Sequence, residues 1–89
     1  MLPIRPTSRF KKELKRAAKQ RRNIKKLHDV LEQLSIPAPL LSKYKDHRLK
    51  GDRIDFRECQ IEPDWLLIYT ISDFELRPVR VGTHSELFD

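Results

Sequence analysis

The stretch WLLIYTI, residues 65–71, constrains the fold more than any other part of this 89-residue chain. It is almost wholly apolar and built from residues that favour strands, so it is expected to be a central strand buried on both faces. Pro63 and Asp64 lie directly before it, and SDFE (72–75) follows as a hairpin turn. Loops of two to four residues cannot make the crossover that parallel strands need, so its neighbours must run antiparallel to it. Those neighbours are read as about Arg53 to Glu62 and about Leu76 to Val81. Pro78 is tolerated in the latter only at an edge or a bulge.

Upstream, the pattern turns helical. Thr7 or Ser8 can cap a helix running to about Gln20, with Phe10, Leu14, Ala17 and Ala18 on one face and Arg9, Lys11, Lys12, Lys15, Arg16 and Lys19 on the other. QRRN breaks this pattern. A second helix, about Asn23 to Ser35, sets Ile24, Leu27, Leu31 and Leu34 at spacings of three and four, and the two make a helical hairpin with a basic outer surface. The opening LPIRP fits an extended edge strand. SIPAPLLS ends the second helix, because residues before proline are pushed out of the helical region. A basic loop follows, with Lys43, Lys45, His47, Arg48 and Lys50, closed by Gly51, and THSELF reads as a cap and one short helical turn. The order is strand, helix, helix and three antiparallel strands, in a single domain over residues 1–89. This is an α+β fold with the helices on one face of a small sheet and a concave polar site expected on the other.

Net charge is +6, and its distribution says more than its sum. Residues 1–50 carry fifteen Lys and Arg against four Asp and Glu; residues 51–89 carry four against nine. A cationic surface of this density suits a polyanion, most often nucleic acid, or an acidic protein partner. No apolar run approaches the roughly 18 residues of a membrane span. The N-terminus has no apolar signal-peptide core, and a single cysteine makes no internal disulfide, so the chain is expected in the cytoplasm. Three His and one Cys at no metal-ligand spacing give no zinc signal, and two glycines argue against a Gly-rich phosphate loop.

Strand alternation sorts the polar residues. Phe56, Glu58 and Gln60 share one side; Arg57, Cys59 and Ile61 share the other. Arg77, Val79 and Val81 oppose Leu76, Pro78 and Arg80. With Cys59, Ile61, Val79 and Val81 placed towards the helices, Gln60 and Arg80 fall on the open face, His84 lies just beyond its end, Asp64 and Trp65 sit at the turn, and His47 lies in the basic loop. Plainer roles compete for each. His28 suits an ordinary helix surface, Trp65 a core plug, Cys59 a small buried apolar residue, and Asp64 a cap on the Pro63 turn. Together, two imidazoles, a carboxylate and a guanidinium could exchange protons near neutrality and hold a phosphate. RNA carries its own nucleophile, the 2′-OH, so metal-free RNA cleavage suits this set and DNA cleavage does not.

YKDHRLKG, FRECQIEPDWLLIY and RVGTHSELF resemble the YafQ-type branch of the RelE toxin superfamily of bacterial toxin–antitoxin systems, over the chain from the helical hairpin to the last residue. The resemblance implies a microbial ribonuclease-like fold. It also implies an mRNA interferase that cuts messenger RNA in the ribosomal A site by 2′-OH attack, with no metal or other cofactor. It assigns His47, Asp64, Trp65, Arg80, His84 and Phe88 to the site. His47 and His84 would divide the acid and base work, Asp64 would orient or help protonate, and Arg80 would bind the scissile phosphate. Trp65 and Phe88 would shape the pocket or stack on a base. Lys45, Arg48, Arg57 and Gln60 are expected to contact substrate. The basic helices would meet ribosomal RNA, and a DinJ-like antitoxin would neutralise the protein.

The chain departs from that pattern at Gln60, where family members commonly have histidine. An amide can hydrogen-bond a phosphate or a 2′-OH but cannot exchange a proton near pH 7. Gln60 is therefore a natural variant at a binding position, the mark of a weakened toxin, or a replacement made so that a toxic protein can be produced. The rival to the enzyme reading is a catalytically inactive RNA- or antitoxin-binding module of the same fold.

Overall fold

The computed structural model describes residues 1–36, 42–51 and 55–88. Helix α1 (Ser8–Lys19) starts where Thr7 accepts a hydrogen bond on its Oγ1 from the Phe10 N–H at 3.0 Å. Helix α2 (Ile24–Leu34) starts at Asn23, whose side chain accepts from the Lys26 N–H at 3.1 Å. Each cap satisfies an N–H that the first helical turn leaves without a partner. Between the helices Arg21 takes a left-handed conformation, with φ of 60°. Such a residue lets the chain reverse without glycine, at a cost of about 1–2 kcal/mol.

Four antiparallel strands follow in the order β1 (His47–Arg48), β2 (Arg57–Glu62), β3 (Trp65–Ile71) and β4 (Leu76–Gly82), and a short helix α3 (His84–Phe88) closes the described chain. Trp65 through Tyr69 are all buried, as a central strand requires. The helical face of the sheet forms the main core, where Phe10, Ala17, Leu27, Val30 and Leu34 meet Cys59, Ile61, Trp65, Leu67 and Tyr69. The N-terminal extended segment makes a parallel bridge, Ile4 to Leu76, at the free edge of β4. Its backbone bonds run from Arg5 N–H to Leu76 O and from Thr7 N–H to Pro78 O.

Four expectations need correction. His47 and Arg48 are not loop but a short strand paired with Glu58 and Arg57, and the Leu49 N–H extends the ladder to Phe56 O. The first long strand begins at Arg57; residues 53 and 54 lie outside the described residues. Along α1, Ala18 is exposed and Glu13 is buried, where Glu13 pairs with the half-buried Arg80. Finally, β4 carries a bulge. Ile68 pairs with Arg80 but Tyr69 with Pro78, so Val79 is the extra residue and its side chain leaves the helical face. Val79 instead packs with Leu49 and Phe56 against Leu66, Ile68 and Leu87. The open face is therefore an apolar floor with a polar rim rather than a wholly polar concavity.

Candidate active site

The turn from β2 to β3 is two residues long, with Glu62 paired to Trp65. Asp64 takes the left-handed conformation (φ of 57°), which Asp tolerates better than most residues. This turns its carboxylate towards the end of β4. There Asp64 Oδ1 accepts two hydrogen bonds from one residue, the His84 backbone N–H at 3.0 Å and the His84 Nδ1–H at 2.8 Å. These bonds, backbone first, hold the Asp64 carboxyl below the usual carboxylate range. Because Nδ1 donates to Asp64, a neutral His84 ring carries its lone pair on Nε2, and the side chain is 60% exposed. The pair leaves an oriented imidazole with one nitrogen free for proton transfer.

Helix α3 holds that pair in place through a capping box. The Thr83 N–H donates to Glu86 Oε1 at 2.9 Å, and the Glu86 N–H donates to Thr83 Oγ1 at 3.2 Å. The Thr83 N–H is the main cause of a lowered Glu86 pKa. Gly82 sits in tight quarters: a Cβ there would stand 3.1 Å from Glu86 Oε1, 3.2 Å from Glu86 Cβ and 3.3 Å from Leu87 Cδ2, so α3 would have to give by a few tenths of an ångström. Leu87 then folds onto Leu66 and Ile68.

Arg80, at the rim of the open face, is held by a carboxylate and two carbonyls. Its Nη2 and Nε donate to Glu13 Oε2 at 2.7 and 3.2 Å, Nη2 also reaches Glu86 O at 3.3 Å, and Nη1 reaches Leu87 O at 3.4 Å. A cation on the last carbonyls of α3 suits the helix dipole. Arg80 thus clamps α3 to α1 and β4, and a two-pronged grip on phosphate would require it to leave Glu13. Arg57 is likewise engaged, through Nη2 and Nε to Asp46 at 3.1 and 3.3 Å, on the helical side of the sheet. The Tyr69 hydroxyl donates to the same carboxylate, and burial together with that neighbour pushes its pKa up. Arg57 thereby ties β2 to the residue just before β1.

That anchor presents His47 on the opposite face. His47 Nδ1 lies 2.7 Å from Lys45 O, and Nε2 lies 3.5 Å from Glu58 Oε1. His47, Glu58, Ile68 and Arg80 form one row across the four strands. Adjacent strands are about 4.8 Å apart, so the ends of the row are roughly 14 Å apart at the backbone. His47 and Arg80 therefore stand at opposite edges of the open face. A cavity of about 220 Å³ opens on the same side, lined by Arg9, Leu49, Phe56, Ile68, Arg80 and Leu87 among others.

Gln60 is half-buried, opposite Leu66, and borders a cleft shared with Lys26, Lys43 and Tyr44. Phe88 is at the surface, its ring centroid 6.4 Å from that of His84. Lys45 and Arg48 are exposed. Trp65 is only 1% exposed, with Arg22 stacked 5.7 Å from its ring, so it is a core plug and offers no face to a base. Burial pushes the Cys59 thiol up to about 12, which makes it a packing residue. Sequence reasoning missed Glu13, Asp46, Glu58 and Glu86, the acids that hold the site's cations and its short helix. Their only sequence signal is an acid in a basic helix or on a strand face that should be apolar. No helix among the described residues is long and apolar enough to cross a membrane.

Residues 2–89 match the family described as bacterial toxin of type II toxin–antitoxin system, YafQ. The chain is 38% identical to the mRNA interferase toxin YafQ of Escherichia coli K12 over 86 residues, which are 96% of this chain and 94% of that one. The toxin in a crystal structure of the E. coli DinJ–YafQ toxin–antitoxin complex is 37% identical with a TM-score of 0.92, covering 99% of this chain and 98% of that one. A metal-bound toxin from Helicobacter pylori is 47% identical with a TM-score of 0.92, over 99% of this chain and 100% of that one.

Proposed function

The chain belongs to the YafQ family of bacterial type II toxins, and from that premise we propose that it is an mRNA interferase, an endoribonuclease held in check by a DinJ-like antitoxin. It acts on messenger RNA in the A site of the ribosome, in the cytoplasm. The 2′-OH attacks the adjacent phosphate in line, the bond to the 5′ oxygen breaks, and a cyclic phosphate and a 5′-hydroxyl result. Because the nucleophile belongs to the substrate, the protein need only position the RNA and move protons.

The observation that carries this reading is the Asp64–His84 pair. Protonated His84, aimed by Asp64, gives its Nε2 proton to the departing 5′ oxygen. Phe88, beside it, stacks on or orients a base. His47, on β1, is a candidate for the base. Exposed Lys11, Lys12, Lys15 and Lys19 on α1, with Lys45 and Arg48, meet ribosomal RNA phosphates. Gln60 binds without exchanging a proton, and activity in this form is reduced.

Primer extension on translating ribosomes tests the proposal. His84→Ala should lose cleavage by about 10²–10⁴-fold while keeping the fold. Gln60→His should raise cleavage, and no change would make Gln60 a natural binding variant. The inactive-module reading draws on Gln60 and on the engagement of Arg80 by Glu13. It requires that ribosomes bind this protein and leave the message uncut.

A further inference from the structure

On the reading that this chain cleaves messenger RNA, we propose that the cavity between the α1–α2 turn and the start of β3 is a nucleobase subsite. Arg22 stacks on the base that follows the cut, and Glu62 reads it, with guanine preferred. The cavity is about 540 Å³ and is lined by Gln20, Arg22, Asn23, Glu62, Thr83 and Glu86 among others. It adjoins the Asp64–His84 pair, since Glu62 directly precedes the Pro63–Asp64 turn and Thr83 directly precedes His84. Arg22 is close enough to add to the lowering of the Asp64 carboxyl, which the His84 bonds dominate, and of Glu86, which the Thr83 N–H dominates.

Two side chains here lack the partners that their neighbours have. Arg16, Arg57 and Arg80 are each held by a carboxylate, at 3.0, 3.1 and 2.7 Å. The Arg22 guanidinium lies over the Trp65 ring at 5.7 Å and pairs with no acid among the described residues. With Trp65 against one face of its plane, the other face is left to the cavity. Guanidinium planes are platforms for unpaired bases in RNA recognition. Glu62 is brought here by an irregularity in β2. Gln60 pairs with Leu66 and Glu62 with Trp65, so Ile61 is an extra residue between them. Such a bulge re-aims a side chain, and it takes Glu62 off the face of Gln60 to the side of Trp65. Glu86 is engaged at both oxygens, by the Thr83 N–H at 2.9 Å and by Arg16 at 3.0 Å. Glu62 is half-buried and in no ion pair among the described residues, so it is the cavity's unengaged acceptor.

The chemistry of that acceptor selects the base. An ionised carboxylate accepts hydrogen bonds and donates none. Guanine presents its N1–H and its N2 amino group side by side, a match for two carboxylate oxygens. Adenine and cytosine each offer one amino group. The single N–H of uracil stands between two carbonyls, which a carboxylate repels. A purine also covers more of the Arg22 plane than a pyrimidine does. Position selects the nucleotide. The 5′ oxygen that His84 protonates belongs to the nucleotide after the cut, and the base of that nucleotide is the one nearest a cavity that begins at Thr83.

Binding and cleavage test the subsite separately. Guanosine 5′-monophosphate carries the base and the phosphate of the nucleotide after the cut. It should change the fluorescence of Trp65, the sole tryptophan, more than uridine 5′-monophosphate does. Arg22→Met keeps an apolar cover on Trp65 and should abolish the response. Single-turnover cleavage on translating ribosomes, with messages that differ only in the base after the cut, should be about tenfold faster for guanine than for uracil. Glu62→Gln, which adds a donor, should bring that ratio near one. Both variants should melt near wild type, because neither residue has an ion pair to lose among the described residues. The subsite is overturned if wild type cuts all four messages alike, an outcome that leaves the nuclease reading standing. It is also overturned if the guanine preference survives Glu62→Gln, or if Arg22→Met responds to the two nucleotides as wild type does. Arg22→Met melting well below wild type would make Arg22 a structural cover for Trp65 and overturn its stacking role, and the Glu62→Gln ratio then decides the base reading. A guanine response from a protein that leaves every message uncut would keep the subsite and end the nuclease reading.

Discussion

Removing the carboxylate of Glu13 tests whether Arg80 is a clamp or a free phosphate ligand. In Glu13→Ala the Arg80 guanidinium loses its three contacts to that carboxylate, at 2.7, 3.2 and 3.4 Å, and the buried Val81 N–H loses its acceptor at 3.3 Å. An orphaned buried N–H costs about 1–3 kcal/mol. Breaking a buried ion pair costs about 3–5 kcal/mol, and the two losses overlap. Arg80 is 18% exposed and keeps the carbonyls of Glu86 and Leu87, so part of that cost is recovered through water and those bonds. The net expectation is about 3 kcal/mol, a large share of the roughly 5–15 kcal/mol that stabilises a domain. For a domain of this size each kcal/mol moves the melting temperature by about 4–8 °C, so a fall of roughly 12–24 °C is expected in a circular-dichroism melt. A double-mutant cycle with Arg80→Met should show strong coupling. A fall of only about 2 °C, or additive single changes, would refute the clamp and return Arg80 to phosphate binding.

Acid should loosen α3 first. Asp64 and Glu86 have folded pKa values lowered from 3.8 and 4.5, so the stability they contribute is present above those values and is lost as pH falls through the lower folded ones. Asp64→Asn with Glu86→Gln should flatten the dependence of melting temperature on pH below about pH 4.5; an unchanged slope would count against both contacts. The neutral His84 ring should carry its hydrogen on Nδ1, visible in a long-range proton–nitrogen correlation spectrum, and Asp64→Asn should weaken that preference; a dominant Nε2–H form would contradict the dyad. Cys59, buried and with its thiol near 12, should resist a thiol reagent until the chain unfolds; labelling of native protein at the unfolded rate would contradict its burial.

Much of the fold was legible because its signals are local. Thr7, Asn23 and Thr83 cap helices through side chains that reach three residues along the chain. The two-residue turn at Pro63 and Asp64 forces antiparallel pairing whatever surrounds it. The short strand at His47 was not legible, because two exposed residues carry no alternation and are held by Asp46, Arg57 and Tyr69 from elsewhere. The bulge at Val79 was hidden for a similar reason, since alternation assumes a continuous ladder.

Composition, periodicity and turn length thus determined by themselves an α+β domain with a basic helical hairpin, a buried central strand and a tail that returns to it. They placed His84 and Asp64 near the same end of the sheet. Only the tertiary structure decided what each charge does, because a carboxylate finds its cation through space and not along the chain. Glu13 and Arg80 are 67 residues apart in sequence and 2.7 Å apart in the fold. That pairing engages the guanidinium expected to hold a phosphate with a carboxylate of helix α1.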